Sequence, residues 1–587
     1  MKFLVYTKLL EFWNFKKSII LAGDWCLIDN EKMLKKIQYE KIQFQWKYAA
    51  DVVKAEKYCN KIYEKVLEDI SIEFNKEFSI KKDRDFYRAT LGYWLIHFIH
   101  QAYDKFLLLQ SAQKKHQFET LTLHKDEYII PEDFVHYNNL CLNHFYQVQL
   151  FSQIIEAMGI NNSEVKIKNS FNATKNHNYK FLIRLRVINF VNLLYHASLT
   201  LLFKISRVFF KKLTIISNPY FKKNSKIFML KIFLKSKGRI IFDFNLVNKK
   251  FKKNVINKKF RNRIYEKNIN FDSWITNVAL SAIPQSYLEN FIDNLLFSKK
   301  FYKELNFKKY TFFTLQSLYT NTTFQYFIAE NRKKINIYSG QHGCAYGMDI
   351  FHTAEKFDRS IVDKFFTYGW VEDNKTHPLP MPLIINTKIN LEKNKKILIL
   401  ISTRPVYLTR LVIGPLSSIN NIDHVEDGIK LINNIEPNNN NVVVRYHPSD
   451  KERWNNQIVI DRSIPNLKID TKDSFYSSLA EARILVSDCF ATTTLEGFQA
   501  NVPSIIYINK DRYLFRNEFS KYVKKMEEVG ILFYSPDEAA KKINEIYDNV
   551  DEWWNSSKIQ MIRRDICDNY ALTDPNWINE WSQLLTK

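Results

Sequence analysis

His342 stands between an amide and a glycine in the stretch YSGQHGCAYGMD, directly after the short apolar run Ile335 to Tyr338. The chain has only 12 glycines, and Gly340, Gly343 and Gly347 fall together here. Glycine permits positive φ and close backbone approach, so the spacing predicts a tight loop that leaves a strand and displays side chains. A histidine displayed there could serve as a general base toward an acceptor hydroxyl, given a pKa near the working pH. It could instead hydrogen-bond a leaving phosphate and stabilise charge as a bond breaks, or be a purely structural loop residue.

A second polar group falls at the ends of later apolar runs. Arg445, His447 and Pro448 close NVVVRYHP, Ser487 and Asp488 close RILVSD, and Thr492, Thr493 and Thr494 open TTTLEG. A helix start offers free amides and the positive end of its dipole to an anion. Glu496, one turn in, is placed to accept from ribose hydroxyls, and His447 to donate to a phosphate. The plainer reading of Thr493 and Glu496 is a capping box. Arg404, after KKILILIS, and Arg445 could hold a phosphate or carboxylate bidentately, though each alone is more often an ion-pair arginine. Asp24, behind SIILA, is a candidate base or a turn aspartate. Glu355, a candidate catalytic carboxylate, and Asp363 follow the Gln-His-Gly loop, and Glu289 in IPQSYLE reads as a helix cap or brace.

The elements that must position these residues alternate. KKILILIS, NVVVRYHP, RILVSD and VPSIIYI are unbroken apolar strands separated by the helical stretches VEDGIKLINNI, SFYSSLAEA and TTTLEGFQAN. That pattern predicts a parallel sheet covered on both faces, with ligands at the carboxyl ends of its strands. Similar alternation runs from Lys308 to Gly369, whereas Glu31 to Met158 reads as mostly helical behind the strand SIILA. The expected organisation is α/β and GT-B-like, with two Rossmann-like domains facing a cleft. Residues 1–180 form a strand and helical region of the acceptor-side domain, 181–265 an apolar and basic insertion, 266–385 the rest of that domain, and 386–587 the nucleotide-sugar-binding domain. PLPMPLIINTK, Pro378 to Lys388, reads as the linker. No GxGxxG or GxxxxGK[ST] phosphate loop occurs, which argues against a dinucleotide-dependent dehydrogenase or a P-loop kinase.

Taken together, YSGQHGCAYG, DKFFTYGW, RYHPSD, SDCFATTTLEGF, IPQSYLE and ILAGDWC resemble a family of bacterial transferases encoded among surface-polysaccharide genes. That family is similar to capsule Kdo transferases and, more distantly, to CDP-glycerol glycerophosphotransferases. The match is discontinuous, from about residue 17 to WINEWSQLL, and Cys344 stands where the commoner form QHGG has glycine. The resemblance implies a glycosyltransferase in which His447 and Thr492 to Thr494 hold the donor phosphate and Glu496 lies near its ribose. Gln341, His342 and Gly343 would face the same cleft. It favours a CMP-linked acidic sugar as donor and a surface glycan or lipid-linked acceptor, with no metal or cofactor. The alternatives on this fold are a polyol-phosphate transferase and a sugar-nucleotide epimerase.

The net charge is +24, and Lys204 to Arg263 holds nineteen Lys or Arg against the single acid Asp243. With the apolar stretch 187–203, which falls short of the roughly 20 residues of a spanning helix, this predicts contact with an anionic membrane surface through 187–263. The expected location is the cytoplasmic face of the membrane. Aromatics interleave the lysines, as in single-strand nucleic-acid binders, but that reading leaves RYHP and TTTLEG unexplained, so no nucleic-acid partner is expected. Six cysteines without CxxC or metal-like spacing indicate neither a disulfide framework nor a zinc site.

Overall fold

The computed structural model describes residues 1–28, 37–42, 45–167, 205–206, 209–217, 221, 225–242, 249, 251–252, 254–263, 266–305, 309–380, 396–414, 419–436 and 441–586. The apolar stretch 187–203 and most of the expected linker lie outside them. Three sheets form, and every strand pair in them is parallel.

The first sheet holds β1 (Lys2–Val5), β2 (Ile19–Leu21), β3 (Tyr39–Lys41), β4 (Phe118–Leu123) and β5 (Asn162–Val165), in the order β3-β2-β1-β4-β5. The N-terminal region is therefore not a helical elaboration around one strand. It is a third doubly wound unit, whose short strands are overshadowed in the sequence by two long helices, α1 (Ala49–Glu77) and α2 (Arg84–Lys115). Helix α2 starts where Asp83 accepts from the amide of Phe86 at 2.8 Å. It is apolar on all sides, with Trp94, Leu95, Phe98 and Ile99 fully buried, as befits a helix enclosed between units.

The second sheet holds β6 (Lys212–Ser217), β7 (Ile240–Phe242), β8 (Lys309–Thr314), β9 (Asn336–Gly340), β10 (Lys364–Thr367) and β11 (Thr376–Pro378). Its order is β11-β10-β9-β8-β6-β7, so the stretch expected to be an insertion supplies an inner strand, an edge strand and helix α3 (Ser225–Lys235) between them. The reason is local: KLTIIS buries Leu213, Thr214, Ile215 and Ile216 while lysines flank it, and charge counted over 60 residues hides a six-residue core strand. Helix α4 (Thr353–Ile361) joins β9 to β10.

The third sheet holds β12 (Lys396–Ile401), β13 (Val442–Tyr446), β14 (Lys468–Ile469), β15 (Ala482–Ser487), β16 (Ser504–Tyr507) and β17 (Leu532–Phe533), in the order β14-β13-β12-β15-β16-β17. Alternate residues of β12 enter opposite cores: Ile397, Ile399 and Ile401 pack with Val425 and Leu431, and Leu398 with Leu479 and Val502. That is why the strand reads as unbroken aliphatics. Helix α5 (Thr492–Gln499) follows β15, and α6 (Trp577–Leu584) returns to the second sheet, where Trp581 meets Phe313 at a ring distance of 5.6 Å.

One connection locks the units together. The loop after β12 buries Val406, Tyr407, Leu408 and Leu411. The Tyr407 hydroxyl lies 2.7 Å from His144 Nδ1, the amide of Leu411 donates to His100 Nδ1 at 3.2 Å, and Thr353 Oγ1 donates to the carbonyl of Leu411 at 3.3 Å. The third unit is thus held on helices of the first and second. Among the described residues no helix is long and apolar enough to cross a membrane.

Candidate functional site

The Gln-His-Gly loop leaves the end of β9 as its composition predicts. Gln341 is buried and fully engaged: Nε2 donates to the carbonyl of Gly343 at 2.8 Å, and Oε1 accepts from the Tyr368 amide at 3.0 Å and from Trp370 Nε1 at 2.9 Å. It shapes the loop and offers a ligand nothing. Gly347 has φ 69° and a Cβ there would sit 2.5 Å from the Trp370 ring, so both conformation and space demand glycine. Cys344 causes no strain, because the left-handed residue is its neighbour Ala345, φ 75°. The Cys344 amide donates to Thr492 Oγ1 at 3.1 Å, and this bond brings the loop of the second sheet to the first turn of α5 in the third.

His342 sits among aromatic side chains, its Nε2 2.9 Å from the Tyr319 hydroxyl and its Nδ1 3.1 Å from that of Tyr346. Burial, followed by the nearby charge of Arg410, lowers its pKa to about 4. The ring is neutral at neutral pH. Its pKa is therefore far from that of a base poised at the working pH.

Behind the loop lies a brace. Glu355, buried, accepts from the Gly347 amide at 3.0 Å and pairs with Arg359 and Arg516, each at 2.8 Å. Asp363 accepts from the Ile337 amide at 2.8 Å, and Glu289 forms a buried pair with Arg261 at 2.7 Å. Asp24 is buried against Lys41 in the first unit. Arg445 donates to Asp470 at 2.8 Å, the carbonyl of Lys472 at 3.0 Å and Ser478 at 3.1 Å. The charges of these residues are already answered by protein, and Arg445 is an ion-pair arginine.

The third sheet reverses its strand order between β12 and β15, the place where such sheets bind ligands. Asp488 pins the two strand ends there, accepting from the Ser402 amide at 2.6 Å and lying 2.7 Å from His424 Nε2. Burial would raise its pKa, but His424 and these hydrogen bonds hold the carboxyl below its ordinary range. Ser487 is buried beside it, with no partner for its hydroxyl among the described residues. Helix α5 starts from Ala491, whose methyl cannot cap; Thr494 Oγ1 accepts from the Ala491 amide at 3.3 Å instead, so the expected Thr493–Glu496 capping box is replaced by one turn-internal bond. Thr492 and Thr493 are partly exposed at this start. Glu496, buried, accepts from the Tyr476 hydroxyl at 3.1 Å. His447 and Pro448 stand exposed at the end of β13. His447 Nδ1 accepts from the Ser449 amide at 3.1 Å, so its neutral ring carries the proton on Nε2 as a donor.

Three arginines converge on this end of the sheet, and sequence reading found only one. Arg404 and Arg410 have neither a hydrogen-bond nor a salt-bridge partner among the described residues, and Nε of each is buried. Arg453 donates to the carbonyl of Thr403 at 3.0 Å and feels Asp450 and Glu452, but among the described residues no carboxylate is in salt-bridge contact with it, and its Nε is also buried without a partner. Burial first and the charge of Arg404 second lower the pKa of Arg453, with Arg410 adding to the effect. His447 feels Arg453 and Arg404 in the same way. Arg410 also presses on His97, His100, His342 and His352. Asp349, buried after the Gln-His-Gly loop, has its carboxyl raised by burial to about 8 against the opposing pull of Arg404 and Arg516. Nothing in LTRLV or KERW marks Arg410 or Arg453 from sequence; they lie in loops whose fold alone brings them to Arg404. Among the described residues no group of three or more His, Cys, Asp or Glu could hold a metal ion.

Units of parallel strands, with polar side chains gathered at the carboxyl ends of their strands, make this an α/β protein. A family model described as "LIC12162 family transferase" matches residues 2–585, and the chain belongs to that family: it is a transferase. No curated protein matches it. Solved structures to which it is similar include MurG from Acinetobacter baumannii, at 11% identity and TM-score 0.32 over 64% of this chain and 99% of that one. Another is the UDP-N-acetylglucosamine 2-epimerase of Rickettsia bellii, at 13% identity and TM-score 0.35 over 64% and 95%. Likenesses at this level say nothing of substrate.

Proposed function

We propose that this transferase moves a sugar from a nucleotide-activated donor onto a cell-surface polysaccharide or lipid-linked glycan. The observation that carries the reading is the trio Arg404, Arg410 and Arg453, three guanidinium groups with no carboxylate in salt-bridge contact among the described residues, at the carboxyl ends of a doubly wound sheet. A guanidinium partly removed from water, with no carboxylate in contact, is a place that an anionic ligand can complete. The donor's phosphate sits against Arg404, Arg453, the Nε2 proton of His447 and the start of α5, and Glu496 accepts from its ribose. These donors stabilise the charge that builds on the leaving phosphate as the glycosidic bond breaks. His342, neutral between two tyrosine hydroxyls, serves as a hydrogen-bonding group. Asp349, whose pKa of about 8 lies near neutrality, is the candidate that takes the acceptor's proton.

A CMP-linked acidic sugar suits three arginines better than a neutral sugar, because its carboxylate adds a second anion for Arg410. The reading assigns no metal or cofactor and no nucleic-acid partner. It places the enzyme at the cytoplasmic face of the membrane, held to anionic lipid by its basic surface.

The test is a thermal-shift series with CMP, CDP, UDP, GDP and ADP on wild type, Arg404→Met and His447→Ala. A ligand at 100 times its Kd stabilises the folded state by about 2.7 kcal/mol. One nucleotide should raise the melting temperature of wild type and shift both variants less. If none shifts wild type at millimolar concentration, the donor-site reading fails.

A further inference from the structure

Helix α3 does not bury all of its apolar residues. SKIFMLKIFLK turns Met229 and Ile232 into the core with Phe242, while Ile227, Leu230 and Leu234 remain 54%, 55% and 63% exposed. At about 100° per residue these three share one strip of the outer face. Lys226 borders the strip on one side, and Lys231 and Lys235 on the other, all exposed. The helix contains no acid. Phe209, 75% exposed, extends the apolar surface at the C-terminal end of the helix, where a Cβ on Gly238 would lie 3.2 Å from the ring of its neighbour Phe210. Lys237 and Arg239 are exposed beside it. The helix precedes β7, the outermost strand of the second sheet.

We infer that this face of α3, with Phe209, is the seat of the enzyme on an anionic lipid surface. The inference rests on the membrane part of the reading above and names the residues that make the contact. An apolar strip bordered by lysines is what an interfacial helix presents: aliphatic side chains enter the acyl boundary while ammonium groups stay at the phosphates. Sequence charge alone pointed to the whole segment 187–263. The fold narrows that to one face, since β6 is buried and Arg261 and Arg263 are paired with Glu289 and Glu73. Lipid is favoured over a protein partner by the charge of this face: the helix carries three lysines and no acid, and Lys237 and Arg239 follow it. Near an anionic leaflet such residues are each attracted independently of register.

The experiment is flotation of the full chain with vesicles of phosphatidylcholine alone and of phosphatidylcholine with 30% phosphatidylglycerol. Wild type should float with the anionic vesicles and not with the neutral ones. Leu230→Asp with Leu234→Asp should lower the bound fraction at least tenfold, and Lys231→Glu with Lys235→Glu should do the same. Both variants should keep the wild-type melting temperature and nucleotide-induced shift, which keeps a misfolded variant from passing as a membrane-binding defect. Flotation unchanged by the leucine pair overturns the seat, as does failure of wild type to float. Concentration-dependent dimerisation abolished by the leucine pair, seen in sedimentation velocity without flotation, assigns the face to a second copy and overturns it too. Failure of flotation with the nucleotide shift intact leaves the donor site standing, so the two readings fall separately.

Discussion

Two groups of arginine lie near the Gln-His-Gly loop, and they are treated oppositely. Behind the loop, Arg359 and Arg516 close on Glu355 at 2.8 Å each and share Glu372, with Asp373 on Arg359 as well. Arg404, Arg410 and Arg453 make no salt bridge to a carboxylate among the described residues, although Arg404 acts on Asp349, and Asp450 and Glu452 on Arg453, from farther off. Both groups are partly buried, so solvent does not account for the difference. The first group builds the loop; on the reading proposed above, the second is left for a charge that arrives with a ligand.

The largest expected effect breaks the built side. Glu355→Gln removes the charge between two guanidinium groups, and breaking a buried pair in this way is unfavourable by about 3–5 kcal/mol. Urea unfolding should show that loss, while the affinity of the remaining folded protein for its nucleotide stays within about threefold of wild type. The reserved side should respond in reverse. Arg404→Met relieves repulsion on Arg453, so the ligand-free protein should unfold at the same or a higher urea concentration. A hydrogen bond to a charged group is worth about 1.5–3 kcal/mol, so nucleotide affinity measured by calorimetry should fall about 10- to 150-fold. If Arg404→Met destabilises the ligand-free protein as Glu355→Gln does, the two groups are alike and the contrast is gone.

Asp349 sharpens the comparison through pH. Its folded pKa, about 8, lies above the ordinary carboxylate value. The folded state therefore holds a proton that the unfolded state gives up near pH 4. The associated stability is fully present below that pH and is lost as pH rises toward 8. Asp349→Asn, neutral at every pH, should gain stability relative to wild type across pH 4 to 8 in denaturant titrations. His342 has the opposite sign, since its pKa of about 4 lies below the ordinary imidazole value. Its contribution is present above about pH 6.5 and is lost as pH falls toward 4, so His342→Gln should flatten the acid limb of the same profile. Profiles that move together would mean that neither group is held where the fold places it.

The third sheet was legible in the sequence because KILILI, VVVRY and ARILVS carry unbroken apolar runs whose residues pack on both faces of the sheet. The first sheet was not: its strands are three to six residues long, and helices of 29 and 32 residues dominate the same region. The basic segment misled because charge belongs to surface residues and says nothing about KLTIIS between them. At the site, His447, Thr492 and Glu496 were legible because they end strands or open a helix, positions fixed by local pattern. Arg410 and Arg453 were not, because two loops distant in sequence must fold before their shared emptiness exists. Arg445 and Glu355 were chosen for their chemistry, yet that chemistry is used inside the protein.

The smallest effect separates the two buried glutamates. Glu355 is locked between cations, whereas Glu496 receives the Tyr476 hydroxyl, a neutral donor, at 3.1 Å. On the proposed reading the carboxylate also meets the ribose, and the tyrosine hydroxyl aims it. Removing that hydroxyl forfeits one hydrogen bond, about 0.5–1.5 kcal/mol, so Tyr476→Phe should weaken ribonucleotide binding about 2- to 10-fold. The diagnostic is the 2′-deoxy form of the same nucleotide: wild type should prefer the ribonucleotide, Tyr476→Phe should narrow the preference, and Glu496→Gln should narrow it further. Equal weakening for both nucleotides would make Tyr476 a packing residue and move the ribose away from Glu496, leaving the arginine trio as the only part of the donor site still supported.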